Sequence, residues 1–306
     1  MSAHPLDNAG TVTIGGELTI HRLGYGGFRL TGEGCYGPTP HLDDARATLR
    51  LLPQLGVDFV QTSIAFGPMV SECLIRQALH PYAGMTIGTG GGVLRPAPFE
   101  WRPHGHPISL RKMVETSIAV LGVDHLDLWF LDFVDPQVPA DDQFGAIADM
   151  QRAGLIRHAG LSSASTTHIA AANKHFPVAA VQNRYNLTDR RSEGVLEQCE
   201  RLGIPFLAFY PLATGAFGAA DSILRAVAAK IGITPAQAAI AWLLHRSKSI
   251  VVFPGTIRPD HLRENVAAAD IRLSDEQYRA IERVGQRAVA LRSIAHAARP
   301  PVASAA

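Results

Sequence analysis

A carboxylate at the end of an apolar run is the most reactive candidate in the sequence. Residues 126–133 read LDLWFLDF, so Asp132 follows Phe130 and Leu131 and precedes Phe133. Among such side chains, with Phe66 as a further apolar neighbour, an acid loses hydration, which favours its neutral form and raises its pKa. That carboxyl suits proton abstraction, proton donation, or stabilisation of a cation such as an iminium or an amine. Simple space filling, with a hydrogen bond accepted from Gln61, suits the residue type equally well. Other proton carriers are His104 and His106, in the long stretch from Gly91 to Ser109 that also holds Trp101, and Tyr25, Tyr36 and Tyr185.

Cations that could serve such a site are scarce. The only lysines are Lys112, Lys174, Lys230 and Lys248, and the remaining positive charge is arginine. With 28 basic and 27 acidic residues the net charge is +1, and no basic run marks a nucleic-acid or membrane surface, which leaves a small-molecule substrate as the expected partner. Cys35, Cys73 and Cys199 are odd in number and lack C-x-x-C spacing, so neither a disulfide framework nor a zinc site is expected, and no metal is. The first ten residues have no basic start followed by an apolar stretch, and no apolar window approaches the roughly 18 residues of a membrane span. The expectation is a cytoplasmic protein; nothing in the sequence fixes its oligomeric state.

The elements that must position these residues alternate regularly. TVTIGGELTI, residues 11–20, is a hairpin signal around Gly15 and Gly16. Strand patterns follow at 22–28, 57–62, 85–89, 126–132, 156–162, 178–183, 205–209 and 250–253. Helical patterns lie between them at 42–55, 70–80, 110–121, 141–153, 167–175, 192–202, 222–231 and 260–268. Eight strand–helix repeats predict a (β/α)8 TIM barrel with an N-terminal β-hairpin; helices at 235–245 and 275–284 make two additional ones. A doubly wound sheet is disfavoured, because Gly24-Tyr25-Gly26-Gly27 lacks the G-x-G-x-x-G spacing. The expected division is a flexible N-terminus over 1–10, the barrel over 11–288 and a flexible tail over 289–306. In such barrels chemistry sits at the C-terminal strand tips, which brings Gln61 to Phe66, Gly90, Asp132, Ser162, Gln182, Phe209 and Gly255 into consideration.

Several stretches carry a specific resemblance. GVDFVQTSIAFGPMVSE (56–72), GLSS (160–163), QNRYN (182–186), FYPLATG (209–215) and PGTIRPDHLRENV (254–266) together resemble the bacterial branch of the aldo-keto reductases, in order across residues 11–285. The resemblance implies NADP(H) bound across the barrel mouth. Ser162 and Gln182 would hold the carboxamide, Phe209 would stack on the nicotinamide, and Gly255, Thr256, His261, Glu264 and Asn265 would hold the adenosine phosphate and adenine. Ser163 stands where asparagine is usual, and His261 where many relatives carry arginine, which loosens the grip on a 2′-phosphate and admits NAD(H).

The reaction centre departs from the family. Position by position, the aspartate is Gln61, the proton-donating tyrosine is Phe66, the lysine that tunes it is Gly90, and the histidine that orients the substrate oxygen is Asp132. Phe66 has no proton to give, a loss of about 10²- to 10⁴-fold for general acid catalysis. Ionised Asp132 would repel a developing alkoxide, so ordinary aldehyde or ketone reduction is opposed. Three classes of function are expected to remain. One is an enzyme performing a non-standard isomerase, lyase, cyclase or other redox-neutral step, as in secondary metabolism, with Asp132 as acid or base. Another is an NADP-dependent oxidoreductase with an atypical donor, His104 included, or an atypical substrate. The last is a non-catalytic cofactor or ligand sensor.

Overall fold

Strands covered on both faces read as nearly continuous apolar runs, and the barrel strands here have that character. Leu126–Leu131 and Val178–Arg184 each leave only one residue half-buried, the rest being buried. The computed structural model describes residues 4–213 and 221–297. Its first strands, β1 (Thr11–Ile14) and β2 (Leu18–His21), form an antiparallel hairpin. Eight parallel strands then pair in chain order: β3 (Tyr25–Gly26), β4 (Phe59–Gln61), β5 (Thr86–Gly91), β8 (Leu126–Leu131), β9 (Ile156–Ser162), β10 (Val178–Arg184), β11 (Phe206–Phe209) and β12 (Ile250–Val252). A parallel bridge from Leu23 to Val252 closes the ring, with Gly24 N–H donating to Val252 O at 2.8 Å. Glycine is required at this seam, since a Cβ on Gly26 would lie 2.6 Å from the Phe253 carbonyl oxygen.

Around the barrel run α1 (Leu42–Leu51), α2 (Val70–Leu79), α3 (Pro107–Leu121), α4 (Ala140–Arg152), α5 (Thr166–Ala172), α6 (Glu193–Leu202), α7 (Asp221–Ile231) and α9 (Pro259–Ala267). The two helices beyond the eightfold scheme are α8 (Pro235–Arg246) and α10 (Asp275–Ala297). Thr234 starts α8 with a reciprocal capping box to Gln237, which satisfies two otherwise orphaned N–H donors. Among the described residues no single helix is long and apolar enough to cross a membrane.

The hairpin plugs the N-terminal end of the barrel. Ile14 and Ile20 are buried against Phe59, Leu128, Phe130, Leu207 and Val251, and the turn fits because Gly15, at φ +60°, leaves its Cβ position to the His158 ring. Arg22 locks the same end: it is buried and donates to the carbonyls of Ile250, Ala9, Leu244 and Ser247. Burial pushes its pKa down to about 10.

Some extents differ from the expected ones. Within the N-terminal segment expected to be flexible, Leu6 and Ala9 join the core and His4 stacks on His21. The last helix runs past 284 and past the expected boundary at 288 to Ala297; residues 298–306 lie outside the described ones. The first barrel strand is only Tyr25–Gly26, because Gly27 turns the chain into a 3-10 turn (Gly27–Leu30) against Ser71. The stretch 91–109 folds back on itself through the short antiparallel pair β6 (Val93–Leu94) and β7 (Arg102–Pro103).

Candidate functional site

A cleft of about 1120 Å³ opens at the C-terminal ends of the strands. Gln61 and Phe66 enter it from the end of β4 and the segment after it, Asp132 from the residue after β8, and Ser162 and Gln182 from β9 and β10. Phe209 comes from β11, while Gly255, Thr256, His261, Glu264 and Asn265 come from the turn after β12 and from α9. Ser163 lines it as well, with a left-handed backbone (φ +53°) and its N–H bonded to Gln182 O. The expected cofactor residues and three of the expected reaction-centre residues therefore share one cavity.

At its inner end, Asp132 is buried. Its Oδ2 accepts from Ser63 Oγ at 2.7 Å, and its backbone N–H donates to Gly91 O at 2.8 Å. Ser63 also contacts Gly90 O and receives the Ala65 N–H, so its hydroxyl is fixed from several sides. Burial pushes the Asp132 pKa up to about 7; the Ser63 bond opposes this, and the charge of Glu72 adds to it. Glu72 is itself buried between α2 and the barrel, where burial raises it to about 7 against the bond donated by Thr89 at 2.6 Å.

Gly90 does not line the cleft, because Asp132 covers it. A Cβ at Gly90 would lie 2.5 Å from Asp132 Oδ1, and a Cβ at Gly88 would lie 2.3 Å from Gln61 Oε1. The Gln61 amide donates to Thr62 O, whereas its buried Oε1 has no partner among the described residues. Phe66 meets the Phe28 ring edge-on at 5.4 Å and the Trp101 ring edge-on at 6.2 Å.

The alternative proton donors are not at the cleft. His104 sits beside it, its N–H bonded to Gly92 O, and does not line the cavity; the fold-back of 91–109 turns Trp101 and Pro103 inward instead. His106 is exposed at the start of α3. Tyr185 is buried behind β10, donating to Glu193 and stacked on Trp242. Tyr36 is half-exposed outside the lining. Tyr25 is fully buried and donates to Thr256 O at 2.7 Å, which makes it a support for the turn after β12.

Sequence reading placed Ser63 and Tyr210 at strand tips without giving them a role, and missed Arg29 and Arg258. Ser63 was visible two residues beyond Gln61, but its bond to Asp132 spans 69 positions. Tyr210 carries its ring into the cleft from a left-handed backbone (φ +53°) beside Phe209. Arg29 and Arg258 line the outer end, where Arg258 N–H bonds to Thr256 Oγ1 and α9 begins with Pro259. The N-terminus of a nine-residue helix flanked by two guanidiniums suits a phosphate.

The chain's fit to a nicotinamide can be judged from Gln182. Its Nε2 reaches Ser162 Oγ at 3.5 Å, while its buried Oε1 has no partner among the described residues. A buried acceptor without a donor costs about 1–3 kcal/mol, and the N–H2 of a carboxamide would satisfy it. Away from the cleft, His4, Asp7 and His21 lie within reach of a shared cation. The two imidazoles are stacked, at 2° and 4.3 Å, so their in-plane lone pairs run in parallel planes and do not converge on one ion at about 2.0–2.1 Å.

With fold and cleft in hand, comparison is decisive for the class. The aldo/keto reductase family profile matches residues 22–286, and the chain belongs to that family. It is 44% identical over 285 residues to an uncharacterized oxidoreductase of Schizosaccharomyces pombe, covering 93% of each chain. It is 38% identical over 276 residues to pyridoxine 4-dehydrogenase of Escherichia coli, covering 88% of this chain and 96% of that one. Among solved structures, an aldo-keto reductase from Klebsiella pneumoniae in complex with NADPH superposes with a TM-score of 0.76 at 23% identity, over 90% of this chain and 94% of that one.

Proposed function

We propose that the protein is an NADP(H)-binding enzyme acting on a small molecule, in which the Asp132 carboxyl handles the proton that a tyrosine handles elsewhere in the family. In this reading Gln61, Phe66, Gly90 and Asp132 stand at the four positions of the family's carbonyl-reducing set, and ordinary aldehyde or ketone reduction is not the reaction. The observation that carries it is the state of Asp132. Oδ2 is held by Ser63, whereas Oδ1 takes no hydrogen bond from the described residues, and the pKa near 7 lets the group give or accept a proton at neutral pH.

Support for the cofactor comes from the unpartnered Gln182 Oε1, from the arginine-flanked start of α9, and from the NADPH complex of the Klebsiella pneumoniae relative. Ser162 and Gln182 would hold the carboxamide, Phe209 the ring, and Gly255, Thr256, His261, Glu264 and Asn265 the adenosine end. When bound, the dinucleotide supplies a hydride donor or acceptor over the cleft floor. The chain supplies the rest: Phe66 and Trp101 exclude water, Ser63 fixes the carboxyl, and Asp132 moves the proton at Oδ1.

A redox-neutral step such as an isomerisation, elimination or cyclisation needs only that acid–base group. Reduction of an imine or enone, in which bound NADPH would supply the hydride and Asp132 the proton, is the second reading, and the two oxidoreductase relatives favour it. Calorimetry with NADP⁺ and NAD⁺ tests the cofactor, and silence with both at millimolar concentration would overturn it. Metabolite profiling of a gene deletion identifies the accumulating compound. Asp132→Asn should abolish its turnover with NADP⁺ affinity unchanged, and full complementation of the deletion by that variant would refute the acid–base role.

A further inference from the structure

We infer that the inner chamber of the cleft holds an organic cation, a protonated amine or an iminium or quaternary nitrogen, with Asp132 as its counter-charge. This rests on the proposal that Asp132 faces the substrate and names the substrate's chemistry.

On the chamber floor the described hydroxyl and amide donors are already engaged, so the proton on Asp132 decides what the floor can bind. Ser63 Oγ, the one hydroxyl there, is committed to Asp132 and Gly90 O, and the Gln61 N–H2 donates to Thr62 O. Asp132 lines the cavity, and its Oδ1, which lies over Gly90, takes no hydrogen bond from the described residues. No salt bridge reaches this buried carboxylate among the described residues, and a buried ionised carboxylate without a cation is costly enough to recruit a proton or a positive ligand. Once Asp132 is ionised, a neutral carbonyl oxygen set against it is repelled, and a cation is the better complement.

The walls suit a compact charge. Phe66 meets Phe28 at 84° and Trp101 at 85°, and Phe28 meets Tyr210 at 77°. Rings set at near right angles form the sides of a box, whereas parallel rings would form a slot for a flat neutral system. Aromatic faces carry negative quadrupole potential and attract cations that approach them. The cationic groups of the cleft lie at its other end: Arg29 packs beside Gly255, and Arg258 beside Thr256. Two more guanidiniums stand behind the walls and do not line the cavity. Arg95 stacks on Trp101 and is bound to the carbonyls of Glu100, Ala65 and Gly34, and Arg184 lies over Tyr210 and pairs with Asp189. Among the described residues, the guanidinium–ring contacts at the cleft fall on Trp101 and Tyr210, which leaves Phe28 and Phe66 as walls.

The test uses three probes of one size class on the full chain, with and without saturating NADP⁺: benzylamine, benzyltrimethylammonium and benzyl alcohol, titrated by calorimetry at about pH 8, above the titration of Asp132. Both cations should bind about tenfold or more tighter than the alcohol, the scale of one desolvated cation–π contact plus an ion pair. Asp132→Asn should bring the three probes within about threefold of one another, and Phe66→Leu should weaken the trimethylammonium probe more than the alcohol. Equal or tighter binding of the alcohol, no binding of the cations at millimolar concentration, or a preference that survives Asp132→Asn would overturn the inference. The arm without NADP⁺ separates the two proposals: a cation preference there stands even if the dinucleotide fails to bind.

Discussion

Asp132→Asn should stabilise the protein at alkaline pH, because the native fold holds this acid in its neutral form. Burial moves its pKa from 3.8 to about 7. The folded state thus binds a proton that the unfolded chain has released, so stability attributable to Asp132 is fully present below about pH 4 and is lost as pH rises through about 7. About three pKa units at about 1.4 kcal/mol each make the full loss roughly 4 kcal/mol, an upper figure for a buried acid. Between about pH 5 and pH 8 the change is roughly 2–3 kcal/mol. Asparagine keeps the shape and can still accept from Ser63 Oγ, but does not titrate. Glu72, raised to about 7 by its own burial, keeps titrating in both proteins, so the difference between them reports Asp132 together with its coupling to Glu72. Urea unfolding followed by the fluorescence of buried Trp129 and Trp242, across that pH range, should show the variant gaining on the wild type as pH rises. Parallel stability curves for the two proteins would show that the carboxyl is ionised at neutral pH at no cost, and the acid–base assignment would lose its basis.

Gly90→Ala should destabilise by on the order of 1–3 kcal/mol, since its Cβ would meet Asp132 Oδ1 at 2.5 Å and Phe130 O at 3.1 Å. In an Asp132→Ala background the cost should shrink, and a double-mutant cycle with no coupling would refute the contact. Purified protein with NADPH should reduce nitrobenzaldehyde or simple quinones far more slowly than on the order of 1 s⁻¹, and Phe66→Tyr alone should not rescue it, because Gly90 supplies no cation to tune the new hydroxyl. Ordinary turnover by either protein, read as NADPH absorbance loss, would count against the proposed function.

The parallel strands were legible because a strand buried on both sides must be apolar throughout and must end where polar or glycine residues begin. Leu126–Leu131 comes close to this, with Asp127 its one polar residue, whereas Ile156–Ser162 departs from it at Arg157 and His158; their ends deliver Asp132 and Ser162 to the cleft. Tertiary facts were less legible. Tyr25 has the chemistry of a proton donor, yet its hydroxyl is spent on a carbonyl 231 residues away. His104 lies in a loop that does border the cleft, but the pairing of Val93 with Pro103 decides which side chains turn inward, and no local pattern encodes that pairing. Arg22 read as the start of a strand; its role as a four-carbonyl clamp depends on β12 and α8 arriving beside it. The length of α10 escaped because the expected helix ends at Val284, although the apolar helical spacing continues through Ala288 and Leu291.

Packing and chemistry at the floor of the cleft have a single origin in β5. Along this strand Thr89 points outward to Glu72, so Gly88 and Gly90 face the barrel interior without side chains. The space they leave is taken from either side, by the Gln61 amide from β4 over Gly88 and by the Asp132 carboxyl from beyond β8 over Gly90. Asp132 is therefore drawn down against the strand, out of water, and that same descent raises its pKa and sets its Oδ2 against Ser63. Any side chain introduced at Gly90 has to lift the carboxyl, rehydrate it and lower its pKa together. The glycines of β5 thus act on acid–base behaviour without touching a substrate, and a pH profile of turnover that moves to lower pH in Gly90→Ala, with Ser63 and Asp132 intact, is the signature this coupling requires.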